Sequence, residues 1–230
     1  MKKLFIGGCS YSHWSDGKCF EQSYPALIAK NYPDWHVYDA SYGGSANDGI
    51  FWRFQHLEEK FGPPDKVIVQ WTTNGRHQWI ESDSNITFKN SKNISNYTFT
   101  PEFDSDKFIT ISASVLKNLP NSLKKFYVPY LESHHHNTYI IQKEIALVNA
   151  LYGKENVLMF DWHKHWSPGS NSKMPDNWIG SVANAFKRKK KFEKLGIDNA
   201  PHYDAVGHLE VYKWLRPHLA NLLHPNPHIE

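Results

Sequence analysis

The run Lys66-Val-Ile-Val-Gln-Trp71 constrains this chain more than any other segment. It offers apolar or β-branched side chains to both sides of a strand, so both faces must be covered. Such a strand belongs inside a sheet sheathed by helices. Leu4-Phe5-Ile6 reads as a second short buried strand, ended by Gly7-Gly8. Trp35 to Tyr38, Lys125 to Tyr130 and Asn156 to Phe160 read as further strands. Apolar spacing predicts helices over Ser23 to Lys30, Gly49 to Phe61, Phe108 to Leu119, Thr138 to Tyr152 and about Gly207 to Leu223. Residues 163 to 200 read as irregular, apart from a helix over Ile179 to Leu195. Strands alternating with helices predict an α/β fold with a mostly parallel sheet covered on both sides.

A chain of 230 residues suits one such domain spanning 1–230. Residues 80–106 are polar and rich in Asn, Ser and Thr, and read as an insertion serving as a lid or binding rim. Hydrophobic residues make up 40% and charged residues 21%, as in a folded globular protein. The net charge of +3 is too small to imply a nucleic-acid partner. The basic run between Phe186 and Lys194 reads as a solvated face. Aromatics reach 15%, with nine Trp, which fill a core first and suit stacking on carbohydrate second.

No apolar stretch approaches the ~20 residues needed to span a bilayer. The apolar start ends at Gly7-Gly8, too soon for a signal peptide, so synthesis and residence in the cytoplasm are expected. Cys9 and Cys19 form neither a disulfide framework nor a metal-binding pair spacing. The clusters His134-His135-His136 and His163-Lys-His165 invite a metal reading, but ligands need to share one supported face, and no metal is expected.

In open parallel sheets, ligands bind beyond the carboxyl ends of the strands. Gly8-Cys9-Ser10 follows the first strand, Tyr42-Gly-Gly44-Ser the second, and Trp71-Thr-Thr-Asn74-Gly75-Arg76 the third. His202-Tyr-Asp204-Ala-Val-Gly207-His208 leads into the final helix. Each block alone has an ordinary explanation. Ser10 closes a glycine-rich turn, Asn74-Gly75 is a turn signal, and Trp71 packs. Asp204 suits the cap of the last helix, and His208 a structural place behind it.

Taken together, in this order, the blocks resemble those of the SGNH (GDSL-like) hydrolases, a family of esterases and lipases. Gly8-Cys9-Ser10 stands at the family's Gly-Asp-Ser, Gly44 at the glycine of its second block, and Asn74 at the Asn of its third. His202 stands at the His of the last block. The stretch from Trp71 to Arg76 is similar to a branch common in phage and marine microbial proteins, which adds association with a virion, or release by lysis, to the expected locations.

The resemblance implies a flavodoxin-like three-layer α/β/α sandwich and a cofactor-free serine esterase. Ser10 would be the nucleophile and His202 the base that takes its proton. The backbone N–H groups of Ser10 and Gly44 and the Asn74 amide would form the oxyanion hole. Cys9 and Gly75 replace acidic residues of the family pattern that the proton relay does not need. The family's triad Asp falls at Asn199, and Asp198, one residue further, is the favoured orienting acid over Asn199 or a distant carboxylate. His208 is the second choice of base. Arg76 is placed to meet a substrate carboxylate or phosphate, or to hold its loop by an ion pair, and Trp71 is a second candidate contact. The expected substrate is a small acyl ester, acetyl first, with an acylated polysaccharide as its carrier. A non-catalytic glycan-binding or phage structural module on the same fold, and a sugar O-acyltransferase, are the alternatives.

Overall fold

The computed structural model describes residues 1–12, 20–72, 76–80, 92–100, 108–111, 121, 125, 134–162, 174–186 and 203–224. Its centre is a seven-stranded sheet. Strand β1 (Lys2–Gly7) lies between β2 (Trp35–Asp39) and β3 (Lys66–Trp71), parallel to both. Beyond β3 come β8 (Val157–Asp161) and β9 (Trp178–Ser181), again parallel. Beyond β2 come β6 (Tyr97–Phe99), parallel, and β5 (Lys92–Ile94), antiparallel at the edge. A separate antiparallel pair joins β4 (His77–Ile80) to β7 (Phe108–Ile111).

Alternation along the strands divides the core into two layers. Leu4, Ile6, Val37, Ile68, Leu158 and Phe160 pack against α1 (Tyr24–Asn31) and α5 (Ala205–Leu223). Phe5, Val67, Val69, Trp71, Val157 and Met159 pack against α2 (Asn47–Phe61) and α3 (His134–Tyr152). The doubly covered sheet expected from Lys66–Trp71 is thus present, with helices on both faces. On α5, Leu215, Leu219 and Leu222 form the buried stripe. Truncating one of the fully buried pair Leu215 and Leu219 to Ala would cost about 2–5 kcal/mol.

Glycine matters where α2 crosses β1. A Cβ on Gly7 would come within 2.6 Å of the Phe54 ring and 2.7 Å of Ile50, so only glycine lets the helix lie this close. Ser23 caps α1 by accepting the Ala26 amide, with Pro25 in the first turn. Asp204 caps α5 by accepting the Gly207 amide at 2.8 Å.

Three segments differ from the expectations above. Phe108–Ile111 is a strand, not the start of a helix, because its β-branched run pairs with His77–Ile80. Trp178–Ser181 is also a strand, followed by the short helix α4 (Val182–Ala185), because the edge of β8 takes up those residues in parallel register. Within the polar stretch 80–106, Tyr97 and Phe99 are buried, and their strand extends the main sheet beside β2. Of the strand expected at 125–130, all but Lys125 lies outside the described residues, as do residues 187–195 of the helix expected from Ile179.

Candidate active site

Ser10 sits in the turn immediately after the central strand β1, at the carboxyl edge of the sheet. The Ser12 amide closes that turn on the Cys9 carbonyl at 2.9 Å. The Ser12 hydroxyl donates to Gln70 Oε1 at 2.6 Å and lies 2.8 Å from the Tyr24 hydroxyl. Gln70 in turn donates to the Trp71 carbonyl at 2.9 Å. The turn is therefore pinned to β3 and α1 by buried side chains. Ser10 itself is 8% exposed.

The loop after β2 is fastened beside it. The Ala40 amide donates to the Ile6 carbonyl at 2.8 Å and the Tyr42 amide to the Gly8 carbonyl at 3.1 Å. Asp39 holds the start of the loop, accepting the Ser41 amide at 2.9 Å and the Tyr97 hydroxyl at 2.8 Å. Arg53, reaching up from α2, donates to the Ala40 carbonyl at 3.0 Å and lies 4.3 Å from the centre of the Tyr42 ring. Burial pushes the Asp39 carboxyl up to about 6, against the pull of its hydrogen bonds and of Arg53. Burial likewise pulls Arg53 down to about 9, opposed by Tyr42 and Asp39. At the tip, Gly44 has φ +76°, and among the described residues nothing lies within 4 Å of where its Cβ would stand. The backbone of Gly44 is thus uncovered by any described residue on that side, on a loop tied to the Ser10 turn.

The third block is anchored by a residue to which sequence reasoning gave no role. Asn47, at the start of α2, accepts the Thr72 amide at 2.8 Å and donates to the Thr72 carbonyl at 3.4 Å. This fixes the backbone at the point where β3 leads into residues 73–75. Gln78 completes the brace by accepting the Ala46 amide at 3.1 Å. No motif spacing marks Asn47 or Gln78; their pairing is purely tertiary.

Tyr11, next to Ser10, stacks on Trp162 with ring centroids 3.6 Å apart. Tyr203 meets Trp162 edge-on at 4.1 Å and Tyr11 at 6.3 Å. Tyr203 directly follows His202, so this aromatic trio gathers the chain neighbours of Ser10 and His202 around one ring. Arg76 is half-buried, and its Nη1 donates to Thr72 Oγ1 at 3.3 Å.

Of the expected site residues, Ser10 and Gly44 come together in this way, with Arg76 nearby in the third block. Asn74, Asp198, Asn199 and His202 lie outside the described residues. Trp71 is fully buried in the α2–α3 layer, so its ring has no exposed face to offer a substrate. His208 is 1% exposed and its Nδ1 accepts the Tyr24 amide at 3.2 Å, which ties α5 to α1. That is the structural place expected for it. Asp161 ends β8 in register with Trp71, and burial pushes its carboxyl up to about 7, opposed by the Ser181 hydroxyl. Among the described residues no group of three His, Cys, Asp or Glu side chains is placed to hold a metal, and no helix is long and apolar enough to cross a membrane.

No protein-family model and no curated protein matches the sequence. Solved structures do match, among them the crystal structure of TesA. The likeness covers 96% of this chain and 99% of TesA, with a TM-score of 0.52 and 12% identity. At that identity it speaks for the fold, and it agrees with the layers and strand directions described above. The chain has a three-layer α/β/α fold like that of TesA.

Proposed function

We propose that this protein is a serine esterase acting on small acyl esters, acetyl esters first, with an acylated carbohydrate as the favoured carrier. Ser10 attacks the ester carbonyl while His202 takes its proton, and His202 returns that proton to the departing alcohol. Water then attacks the acyl-enzyme by the same relay, releasing the acid and restoring Ser10. Asp198 orients His202. The Ser10 and Gly44 amides and the Asn74 side chain stabilise the tetrahedral oxyanion. The stretch from Trp71 to Arg76 supports our narrower placement in the phage and marine microbial branch.

One observation carries this reading. Ser10 follows the central strand and is fastened through Gly8 and Tyr42 to a loop whose tip, Gly44, has no described residue within 4 Å of where its Cβ would stand. A turn that merely closed a strand would not need a second loop tied to it by the Tyr42 amide and braced from within by buried Asp39 and Arg53. The packing of Tyr203 near Tyr11 further supports bringing the His202 block to Ser10.

The test is hydrolysis of 4-nitrophenyl acetate by the wild type and by Ser10→Ala. We expect turnover in the wild type and loss of at least about a thousandfold in the variant. Undiminished turnover in Ser10→Ala would sink the reading. Adding a sugar acceptor and analysing products separates hydrolysis from acyl transfer.

A further inference from the structure

Ser23 and Tyr24, at the start of α1, are 0% and 1% exposed, and between them they reach three of the four sequence blocks. The Tyr24 hydroxyl lies 2.8 Å from Ser12 Oγ, two residues past Ser10. Ser12 has one hydroxyl hydrogen and gives it to Gln70 Oε1 at 2.6 Å, so Tyr24 is the donor to Ser12. The Gln70 amide then donates to the Trp71 carbonyl at 2.9 Å. Every hydrogen in the series points the same way, from Tyr24 through Ser12 and Gln70 to β3. The Tyr24 backbone amide donates to His208 Nδ1 at 3.2 Å, in the block that His202 opens. Beside it, Ser23 Oγ lies 3.4 Å from the Tyr97 hydroxyl. Tyr97 donates to Asp39 Oδ2 at 2.8 Å, and Asp39 holds the Ser41 amide at the root of the Gly44 loop.

Packing alone does not call for the Tyr24 hydroxyl. Its ring meets Phe160 edge-on at 5.9 Å in the core, and a phenylalanine would fill that space equally. Ser12 and Gln70 are 0% and 1% exposed, so this is a run of buried polar groups where an apolar one would cost less. What the hydroxyl adds is direction. It fixes the Ser12 side chain, and the Ser12 amide closes the turn on the Cys9 carbonyl at 2.9 Å. Ser10 lies between those two ends.

We propose that Tyr24 is a positioning residue of the Ser10 site. Its hydroxyl, acting through Ser12 and Gln70, holds the turn that presents Ser10, while its amide holds α5 to the same point. The proposal rests on the esterase reading for the role of Ser10, but not for the hold on the turn.

The test compares Tyr24→Phe, Ser12→Ala and the double variant with Ile28→Val, a change of a fully buried apolar side chain on the same helix. On 4-nitrophenyl acetate, Tyr24→Phe and Ser12→Ala should each lower kcat about tenfold, with KM within about twofold of wild type. The double variant should lose no more than the worse single, because both changes cut one chain. Ile28→Val should lower the melting temperature and leave kcat alone. Exchange of the Ser12 amide with deuterium, followed by NMR, should quicken about tenfold in Tyr24→Phe and Ser12→Ala but not in Ile28→Val. Full kcat in the folded Tyr24→Phe and Ser12→Ala proteins overturns the proposal, as do losses that multiply in the double variant. Unchanged exchange at Ser12 overturns it too, and so does a kcat that merely follows melting temperature across all variants, Ile28→Val included. Faster exchange at Ser12 in variants of a protein that cleaves no ester upholds the hold on the turn while rejecting the esterase reading.

Discussion

The amide of Tyr42 donates to the carbonyl of Gly8 at 3.1 Å, so the loop carrying Gly44 and the turn carrying Ser10 move as one unit. Catalysis by oxyanion stabilisation depends on donors that need no rearrangement when charge develops. Asp39, Arg53 and Tyr97 supply that rigidity from below.

Gly44 is the sharpest probe of this arrangement. Its φ of +76° is uncomfortable for any residue with a Cβ, while no described residue lies within 4 Å of where that Cβ would stand. Gly44→Ala should therefore fold, at a cost of about 1–2 kcal/mol for the left-handed backbone. The new methyl would intrude on the space where an ester must approach, lowering kcat/KM on 4-nitrophenyl acetate by about tenfold or more. Urea denaturation and steady-state kinetics on one preparation check both halves. A variant as active as the wild type removes Gly44 from the site.

Asn47 should matter for activity without touching substrate. Asn47→Ala leaves the Thr72 amide unpaired in a buried place, costing about 1–3 kcal/mol of stability. It also frees the backbone entering residues 73–75, so kcat should fall more than KM rises. Asn47→Asp keeps the acceptor for the Thr72 amide and should recover much of kcat. Equal losses in both variants would mean that the contact to the Thr72 carbonyl, not the amide, holds the loop.

The two histidines of the last block should separate cleanly. His208→Ala removes the acceptor for the Tyr24 amide and a buried ring, so thermal stability falls by several degrees. His202→Ala should abolish turnover while costing less thermal stability than His208→Ala. The reverse pattern would transfer the base to His208.

How far these features could be read from sequence depended on whether local pattern or distant pairing decides them. Lys66–Trp71 and the Leu215, Leu219, Leu222 stripe carry their own periodicity, and both appear in the fold as expected. Phe108-Ile-Thr-Ile111 is too short for its pattern to choose between helix and strand, and only the His77–Ile80 partner decides it. Trp178–Ser181 became a strand for the same reason, through the edge of β8. Ser10 and Gly44 were legible because they follow strands in motif order. Asn47, Gln78, Asp39 and Arg53 were not, since their roles come from buried side chains bonding to backbone or side chains elsewhere in the fold.

Glu144 gives the molecule a pH dependence that can be checked apart from catalysis. It lies on the inner face of α3 at 6% exposure, among Ile141, Ile145 and Val148, and its Oε2 has no hydrogen-bond partner among the described residues. Burial pushes its carboxyl up to about 8, helped by Asp48 from α2 and opposed by Lys143. The folded protein therefore keeps a proton that the unfolded chain, near its ordinary 4.5, has lost. Its contribution to stability is complete below the unfolded value and disappears as pH rises through about 8, with a slope of up to about 1.4 kcal/mol per pH unit. Glu144→Gln cannot ionise, so its stability advantage over wild type should grow steadily across that window and then level off. Asp39 and Asp161 titrate with the same sign in both proteins, which is why the difference between the two curves is the quantity to measure. Urea midpoints at half-unit pH steps would show it, and parallel curves would mean that Glu144 ionises in the folded state as readily as in the unfolded chain.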